Sequence, residues 1–379
     1  MEKKLLKNKN IEISPIGIGG FHLVETPLKE VEKILNTFLD EGGNYIETAA
    51  QYGDGLSEIK IGKSVSSRRD EYILATKTHI RDKKGALKTF ERSLKNLKTD
   101  YVDILFIHEP LQPDVLKKVV DKDGPLEAAI QLREKGLVKY IGISGHGYPK
   151  MLIKAFDVFN FDALLINVNY FDNLNFPEIQ NILIPKARQK NSIIFAMKAL
   201  ADGLLYHNTE DAIRYTLTQD IDCLVLGINK LDYLYKDIVI VEKFKLITNN
   251  ELEDILKNDQ LLSNYVCRQC KKCLVCPLDI NIAEIFRIEG IFDRQLYDGI
   301  IRDPKEYWLR ETLRFWFDDK EFAYEEYKKL KVKANKCNKC GQCLDKCPYN
   351  INIIDKLKIC HFKLSKNPKE FKDNQNIVY

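Results

Sequence analysis

The chain reads EYILATKTHIRDKKGALKTFERSLKNLKTDYVDILFIH from Glu71 to His108. Two short apolar runs, Tyr72 to Thr76 and Val102 to Ile107, flank an amphipathic stretch from Gly85 to Leu97. The runs have the length and residue types of β-strands, and the stretch between them has the period of a helix. Strands that alternate with helices in this way predict parallel β/α units.

The same alternation extends over residues 1–245. Further helical patterns run from Leu28 to Glu41, from Leu126 to Lys135 and from Asp211 to Thr218. The strand candidates number eight, at residues 16–19, 44–48, 72–76, 102–107, 140–143, 164–168, 193–197 and 223–226. Eight units in about 250 residues match the size of a (β/α)8 TIM barrel, which is the fold class that we predict for this part of the chain. A doubly wound open sheet is the alternative.

Four polar side chains stand at the predicted ends of three adjacent strands, or just beyond them. These residues are Glu47, Tyr52, Lys77 and His108. Each alone has an ordinary explanation as a solvated side chain at the start of a loop. In a parallel barrel, however, the carboxyl ends of the strands meet at one face, where active sites lie. The sequence therefore predicts that the four side chains converge into a catalytic site.

Eight of the ten cysteines lie in two tight runs beyond residue 245. The first run is Cys267, Cys270, Cys273 and Cys276, followed by Pro277. The second run is Cys337, Cys340, Cys343 and Cys347, followed by Pro348. The second run has the spacing with which bacterial ferredoxins hold [4Fe–4S] clusters, where the last cysteine ligates the other cluster. Two such runs predict two [4Fe–4S] clusters and electron transfer.

Zinc sites and disulfide bonds are the alternative interpretations of these cysteines. Zinc sites usually use paired C-x2-C units separated by a longer loop, which fits these runs poorly. Disulfides need an oxidising compartment, whereas the start of the chain, Met1 to Leu6, lacks the apolar region of a signal peptide. With no apolar run long enough for a membrane span, we expect a reduced, cytoplasmic protein. The net charge of +4 without a basic block gives no reason to expect nucleic acid.

The C-terminal part of the chain repeats itself after each cysteine run. Residues 276–282 read CPLDINI and residues 347–353 read CPYNINI. This repeat predicts two related cluster-binding halves. The spacer from Ile285 to Lys331 is helical in period, so the cysteines belong to an α-helical domain at residues 246–379. We expect the spacer aromatics in its core, namely Tyr307, Trp308, Phe315 and Trp316, and a polar, irregular tail from Ser365 to Asn376.

The first part of the chain resembles the aldo/keto reductase family over roughly residues 10–245. The matching text runs from Gly43 to Ala49, on to Tyr52-Gly53, and then through Ala75-Thr76-Lys77. It continues with Asp103 to His108 and with Ile141-Gly142-Ile143-Ser144. The C-terminal third resembles the α-helical ferredoxin-like extension of an iron–sulfur branch of that family. The resemblance implies a TIM barrel followed by a smaller α-helical ferredoxin-like domain.

The resemblance also implies roles for the four strand-end residues. Tyr52 would be the general acid that protonates a carbonyl oxygen, and Lys77 would lower the pKa of its phenol. His108 would orient the carbonyl by hydrogen bonding. Glu47 stands where the family usually has an aspartate paired with the lysine, so one additional methylene separates the charge from the backbone.

Contacts to NADP(H) or NAD(H) carry over from the family less completely. Ser144 would hold the carboxamide, with Asn167 at a position that is commonly glutamine. The residues expected near the cofactor phosphates are Lys198, Leu200, Gly203, Gly227 and Lys230. The tyrosine that stacks on nicotinamide in the family is not evident in this sequence. Tyr233 and Asp237 stand where the family usually has an arginine and an asparagine. The choice between the two cofactors therefore stays open.

Crossed ligation of the two clusters is expected from the second run and from the family branch. Cys276 would join the cluster of the second run, and Cys347 would join the cluster of the first. Cys223 is expected to be a buried thiol within a strand, and Cys360 a bystander.

Two functions follow from these expectations. The first is an iron–sulfur oxidoreductase whose barrel performs NAD(P)H-dependent hydride transfer on a small-molecule carbonyl substrate, coupled to two clusters. The second is an electron-transfer adaptor whose barrel is a catalytically degenerate docking module. In either case a redox partner protein, such as a ferredoxin, could exchange electrons with the clusters.

Overall fold

The structure is a computed structural model that describes residues 1–6, 9–110, 113–146, 149–259, 262, 264–295 and 320–366. By contacts, the described chain forms two compact units. The first comprises residues 1–169, 178–200 and 209–247, and the second comprises residues 170–177, 201–208 and the chain from Thr248 onward. Among the described helices, none is both long and apolar enough to cross a membrane.

The first unit is a closed barrel of eight parallel strands, as the sequence predicts. In barrel order the strands are β10 (Cys223–Leu226), β3 (Ile16–Gly19), β4 (Tyr45–Glu47), β5 (Ile73–Thr78), β6 (Val102–His108), β7 (Val138–Gly145), β8 (Ala163–Asn167) and β9 (Ile193–Met197). β3 pairs with both β4 and β10, which closes the sheet and removes its edges. The open-sheet alternative is therefore wrong.

Aromatic and branched side chains fill the interior of the barrel. Tyr45 stacks on Phe195 with ring centroids 4.2 Å apart, and Phe106 meets Phe195 edge to face at 6.1 Å. All three are fully buried. An N-terminal hairpin of β1 (Lys4–Leu6) and β2 (Ile11–Ile13) packs against this core through Leu6, Ile11 and Ile13. The sequence analysis did not predict the hairpin.

Helices connect the strands of the barrel, and those of the first unit cover its outside. In chain order they are α1 (Leu28–Asp40), α2 (Leu56–Val65), α3 (Lys83–Leu97), α4 (Pro113–Val119), α5 (Pro125–Glu134), α6 (Lys150–Val158), α7 (Tyr170–Asn175), α8 (Ile184–Gln189), α9 (Thr209–Thr218) and α10 (Leu231–Glu242). α3 illustrates which residues define the two ends of a helix. The side chain of Asp82 accepts a hydrogen bond from the backbone N–H of Gly85, and Lys98 ends the helix in a left-handed conformation. Of these helices, α7 belongs to the second compact unit.

The second unit is helical in its described part. Its further helices are α11 (Asn249–Asn258), α12 (Ile282–Asp293), α13 (Lys320–Lys329) and α14 (Ile353–Ser365). α12 packs against α13 and α14. The four spacer aromatics and residues 367–376 of the predicted tail lie outside the described residues.

The repeated text after each cysteine run forms the same local structure twice. Asn281 and Asn352 each cap a helix, accepting a hydrogen bond from a backbone N–H three residues on. Asp279 and Asn350, two residues before the caps, both adopt a left-handed conformation with φ of 53°. The sequence repeat therefore encodes a turn and a helix N-cap in each half.

Charged side chains are buried between the helices of this unit. Glu289 accepts hydrogen bonds from the ammonium groups of Lys356 at 3.2 Å and Lys363 at 2.7 Å, and Lys363 also donates to Asp293. Two lysines close to the Glu289 carboxylate outweigh the cost of its burial and hold its pKa well below its usual value. α12 and α14 are thus joined by ion pairs as well as by apolar contacts.

Candidate active site

Lys77 is the centre of the cluster at the carboxyl ends of the barrel strands. Its ammonium donates hydrogen bonds to the phenol oxygen of Tyr52 at 2.9 Å, to the backbone carbonyl of Thr48 at 3.0 Å, and to the carboxylate of Glu47. The parallel register sets Glu47 beside Ala75 of β5, two residues before Lys77, so the two charged side chains meet at the strand ends. His108 closes the cluster, with its ring 6.3 Å from that of Tyr52. The structure thus brings the four predicted residues together.

Glu47 and Lys77 form a buried ion pair. The side chain of Lys77 is 1% exposed and that of Glu47 is 5% exposed. Burial lowers the pKa of Lys77 and raises the pKa of Glu47, and the attraction between the two charges opposes both shifts. The glutamate therefore takes the place of the family's aspartate without loss of the pairing.

The phenol of Tyr52 differs from the expectation for its pKa. We expected Lys77 to lower that pKa, but it is raised well above its usual value, because burial and the nearby carboxylates of Glu47 and Glu109 all disfavour the phenolate. Tyr52 is accordingly a neutral phenol that carries its proton. The hydrogen bond from Lys77 then acts when that proton leaves.

His108 ends β6 and is 4% exposed. Its pKa lies well below the usual value, mainly because of burial and also because of the charge of Lys77. The imidazole is therefore neutral, and its buried Nδ1 has no hydrogen-bond partner within the described residues. A buried ring nitrogen without a partner is costly unless a ligand satisfies it.

Three residues near this cluster were missed by the sequence analysis. Phe21, in the turn after β3, presents its ring edge to Tyr52 with centroids 5.3 Å apart. Glu109 follows His108 in a left-handed conformation with φ of 54°, and His146 follows β7. The Nε2 atom of His146 lies 2.7 Å from the Glu109 carboxylate. The only sequence signal was their position two or three residues after predicted strand ends.

The residues expected to hold nicotinamide lie on neighbouring strands. Ser144 is in β7 and Asn167 ends β8, and each is 1% exposed. The buried hydroxyl oxygen of Ser144 has no hydrogen-bond partner in the described chain. Lys198, just after β9, adopts a left-handed conformation, and the side chain of Asn169 donates to its carbonyl at 2.9 Å. This set of amide, hydroxyl and ammonium groups fits a carboxamide and a phosphate.

The remaining predicted cofactor residues are more dispersed. Leu200 ends one segment of the first unit, whereas Gly203 belongs to the second unit, in the turn Ala201–Gly203. Gly227 follows β10 against the ring of His22, where an added Cβ would lie only 2.4 Å from a ring carbon. Lys230 lies just before α10.

The first turns of α10 carry charges around an exposed tyrosine. The ammonium groups of Lys230 and Lys236 lie 5.5 Å and 6.0 Å from the ring centre of Tyr233. Asp237 faces inward at 8% exposure, and burial raises its pKa to about 7. Near neutral pH this carboxyl is therefore only partly ionised, which reduces its repulsion of a 2′-phosphate.

The two cysteine runs interleave within the second unit. A small cavity is lined by Cys276 of the first run together with Cys337, Cys340 and Cys343 of the second, and by the apolar side chains of Ile280 and Leu357.

The last cysteine of the second run, Cys347, lies near the first run. It is close enough to Cys267 for its charge to affect that thiol. Burial raises the pKa of Cys267 to about 11, and Cys270 and Cys347 add to the shift. Cys223 and Cys360 are fully buried in β10 and α14.

Curated relatives match the barrel portion of the chain. An uncharacterized oxidoreductase of Bacillus subtilis, YqkF, is 27% identical over 232 residues, which are 58% of this chain and 72% of the relative. The aldo-keto reductase YhdN of the same species is 30% identical over 222 residues, or 54% of this chain and 64% of the relative.

Solved structures share the fold of the barrel. The holo form of the aldo-keto reductase AKR11C1 from Bacillus halodurans matches with a TM-score of 0.59 and 23% identity, covering 68% of this chain and 96% of that chain. An aldo-keto reductase from Klebsiella pneumoniae in complex with NADPH matches with a TM-score of 0.55 and 18% identity, covering 68% and 94%. At these identities the likeness concerns the fold alone.

The sequence model described as the aldo/keto reductase family matches residues 15–258, which is more than half of the chain. The matched range contains every strand of the barrel and also Tyr52, Lys77 and His108. It ends before the first cysteine run. The chain is therefore an oxidoreductase that belongs to the aldo/keto reductase family.

Proposed function

We propose that the chain is an iron–sulfur aldo/keto reductase, in which residues 1–245 form the reductase barrel and residues 246–379 form an α-helical ferredoxin-like domain. The barrel would interconvert a small carbonyl compound and its alcohol with NADP(H) or NAD(H), and the domain would exchange electrons with a redox partner protein such as a ferredoxin. The observation that carries the catalytic half is the buried ammonium of Lys77, which bonds to both Glu47 and Tyr52.

Proton transfer is the part of the reaction that this site supports directly. Tyr52 holds a proton that it can donate to a carbonyl oxygen, and the ammonium of Lys77, 2.9 Å away, stabilises the phenolate that remains. The neutral imidazole of His108 offers a hydrogen bond that orients the same oxygen. The nicotinamide, when bound, supplies or accepts the hydride.

Several side chains support a nicotinamide cofactor. The unpartnered hydroxyl of Ser144 offers a hydrogen bond to a carboxamide, and Asn167 lies on the adjacent strand. Lys230 and Lys236 supply positive charge around Tyr233 for a phosphate. The Klebsiella pneumoniae structure of the same fold is a complex with NADPH, so NADP(H) is the first cofactor to test, with NAD(H) as the other candidate.

The interleaved cysteines support two [4Fe–4S] clusters with crossed ligation. Cys276 lines one cavity with the first three cysteines of the second run. Cys347 lies near Cys267 and Cys273, whose thiols burial holds at a pKa of about 11 and about 12. Iron would hold these sulfurs as thiolates, and each cluster transfers one electron at a time.

An electron-transfer adaptor with a docking barrel is the second candidate. It is favoured by Tyr233 and Asp237, which replace the family's usual arginine and asparagine. Titration of the anaerobically purified protein with NADPH and NADH distinguishes the two candidates. We expect saturable binding of at least one cofactor, measured by fluorescence, and reduction of a carbonyl substrate.

Replacing Tyr52 by phenylalanine tests the role of the phenol. Tyr52→Phe should bind the cofactor as the unsubstituted chain does and should keep its cluster absorbance. Turnover should fall by roughly 100- to 10,000-fold, because general acid catalysis is lost. No binding of either cofactor would favour the adaptor, and equal turnover in the variant would show that Tyr52 is not the general acid.

A further inference from the structure

We propose that His108, Glu109 and His146 form a binding site for one divalent transition-metal ion beside the Tyr52–Lys77 pair. The proposal depends on these three side chains and does not require the hydride chemistry proposed above. Each residue offers one ligand atom, and the three atoms lie within 4.8 Å of one another.

The distances between the ligand atoms suit a small ion. The Nε2 atom of His108 is 3.6 Å from Oε1 of Glu109, and the Nε2 atom of His146 is 2.7 Å from the same oxygen. A metal with bonds of about 2.1 Å separates neighbouring ligand atoms by about 3.0 Å in octahedral geometry and about 3.4 Å in tetrahedral geometry. Side-chain shifts below about 1.5 Å would therefore complete the site.

Hydrogen bonds anchor the backbone of two of the three ligands, His108 and Glu109. His108 ends β6 opposite Ser144 of β7, and Glu109 donates its backbone N–H to the carbonyl of Ser144 at 2.9 Å. The guanidinium of Arg81 donates to the carbonyls of both His108, at 2.6 Å, and Glu109, at 3.2 Å. A metal site built on strand ends is more rigid than one built on a free loop.

Glu109 adopts a backbone conformation that its side chain disfavours. Its φ of 54° lies in the left-handed region, which a non-glycine residue occupies only at a cost. This conformation accompanies the approach of its carboxylate to His146 and His108. Such outliers concentrate at functional sites, which points to a role for the carboxylate beyond surface charge.

A simple ion pair between Glu109 and His146 accounts for only part of the cluster. It leaves the His108 imidazole, which is 4% exposed, with no hydrogen bond to Nδ1 in the described chain and with 3.6 Å between Nε2 and the nearest carboxylate oxygen. A metal ion on Nε2 would hold the ring proton on Nδ1, where it is available to donate to the substrate oxygen proposed above. Of the positive charges nearby, Lys77 pairs with Glu47, and one amino group of Arg81 donates to backbone carbonyls.

The donor set indicates which ion the site would take. Two imidazoles and one carboxylate are ligands for Zn²⁺ or Fe²⁺, whereas Mg²⁺ and Ca²⁺ prefer oxygen ligands alone. Three protein ligands leave coordination positions open. Because Tyr52 lies next to His108, an open position would accept an oxygen ligand close to the phenol.

Titration of the cluster-loaded protein with Zn²⁺ alone, by isothermal calorimetry, tests the site. We expect one Zn²⁺ per chain, bound at least roughly 100-fold more weakly after Glu109→Gln or His146→Gln, because each removes a ligand and the loss of an outer-shell partner alone costs about 10- to 100-fold. Glu109→Asp should restore part of the affinity. His207→Gln, which removes an exposed histidine, is the matched control and should bind as the unsubstituted chain does.

Zinc K-edge X-ray absorption identifies the ligands independently of the variants. We expect nitrogen and oxygen neighbours at about 2.0–2.1 Å. A sulfur shell at about 2.3 Å would place the ion on cysteines and overturn the proposal. Absence of binding would overturn it too, as would equal affinity in Glu109→Gln and His146→Gln with intact cluster absorbance.

Discussion

At the scale of single residues, the chemistry depends on the charge of Lys77. Its ammonium is buried, and burial by itself lowers its pKa, so the charge persists because the carboxylate of Glu47 lies beside it. Glutamate at this position reaches the ammonium despite its additional methylene. The departure from the family's usual residue therefore preserves the ion pair on which the phenolate of Tyr52 depends.

Glu47→Gln should shift the pH profile of the barrel reaction. Without its counter-charge, Lys77 has a lower pKa, so it loses its proton at lower pH and no longer stabilises the phenolate. Activity should then decline as pH rises through this lowered value, moving the alkaline limb of the kcat profile to lower pH. Glu47→Asp, which keeps the charge, is the control. An alkaline limb at the same pH in all three proteins would contradict this account.

The residues of the site differ in how far the sequence could predict them. Tyr52, Lys77 and His108 lie at or just after strand ends, and the convergence of parallel strand ends follows from the fold. Glu109 and His146 could not be found in this way. Their proximity depends on a left-handed conformation at Glu109, which the identity of a glutamate does not predict. The pKa of Tyr52 was missed because it depends on burial and on Glu109.

At the scale of elements, α10 shows the cost of a buried carboxyl group. The pKa of Asp237 is raised to about 7 by burial, so the folded state keeps a proton that the unfolded chain releases near its ordinary pKa of about 3.9. The folded state therefore binds more protons, and its free energy of unfolding falls as pH rises from about 4 to about 7, by about 1.4 kcal/mol per pH unit. Above that pH range the folded state carries the full free-energy cost of ionising the buried carboxyl of Asp237.

Asp237→Asn should raise the melting temperature of the barrel at pH 8 by several degrees and raise it less at pH 5. The amide has no charge to lose, so the penalty disappears where it is largest. Thermal unfolding followed by circular dichroism at both pH values measures the difference. Asp232→Asn, an exposed position on the same helix, should show no such pH dependence. An equal effect of Asp237→Asn at the two pH values would contradict burial as the cause.

The sequence pattern predicts only part of the structure of the helices in the second unit. The repeated text predicted two related halves, and the paired caps of Asn281 and Asn352 give that repeat a structural meaning. The buried pairing of Glu289 with Lys356 and Lys363 was not predictable. Helical periodicity assigns charged residues to the solvent face, and only the packing of α12 against α14 brings these charges inside.

At the scale of the whole chain, the two compact units are not two contiguous segments. The second unit includes Tyr170–Pro177 and Ala201–Asn208, which follow barrel strands β8 and β9. Within this unit the buried guanidinium of Arg294 donates to Asp172 at 2.8 Å and lies 3.4 Å from Asp202. Ion pairs between residues so distant in sequence leave no local pattern, so the predicted boundary at residue 245 does not describe the loops that join this unit.

Paired substitutions of the cysteines test the ligation of the clusters. With crossed ligation, Cys267 and Cys347 serve one cluster, whereas Cys267 and Cys276 serve different ones. The double variant Cys267→Ser with Cys347→Ser should therefore retain about four of the roughly eight iron atoms expected per reconstituted chain, and Cys267→Ser with Cys276→Ser should retain far fewer. Cys360→Ala, a buried thiol outside both runs, should retain all of them. The reverse order of the two double variants would assign each run its own cluster, and zinc in place of iron would remove the clusters from the proposed function.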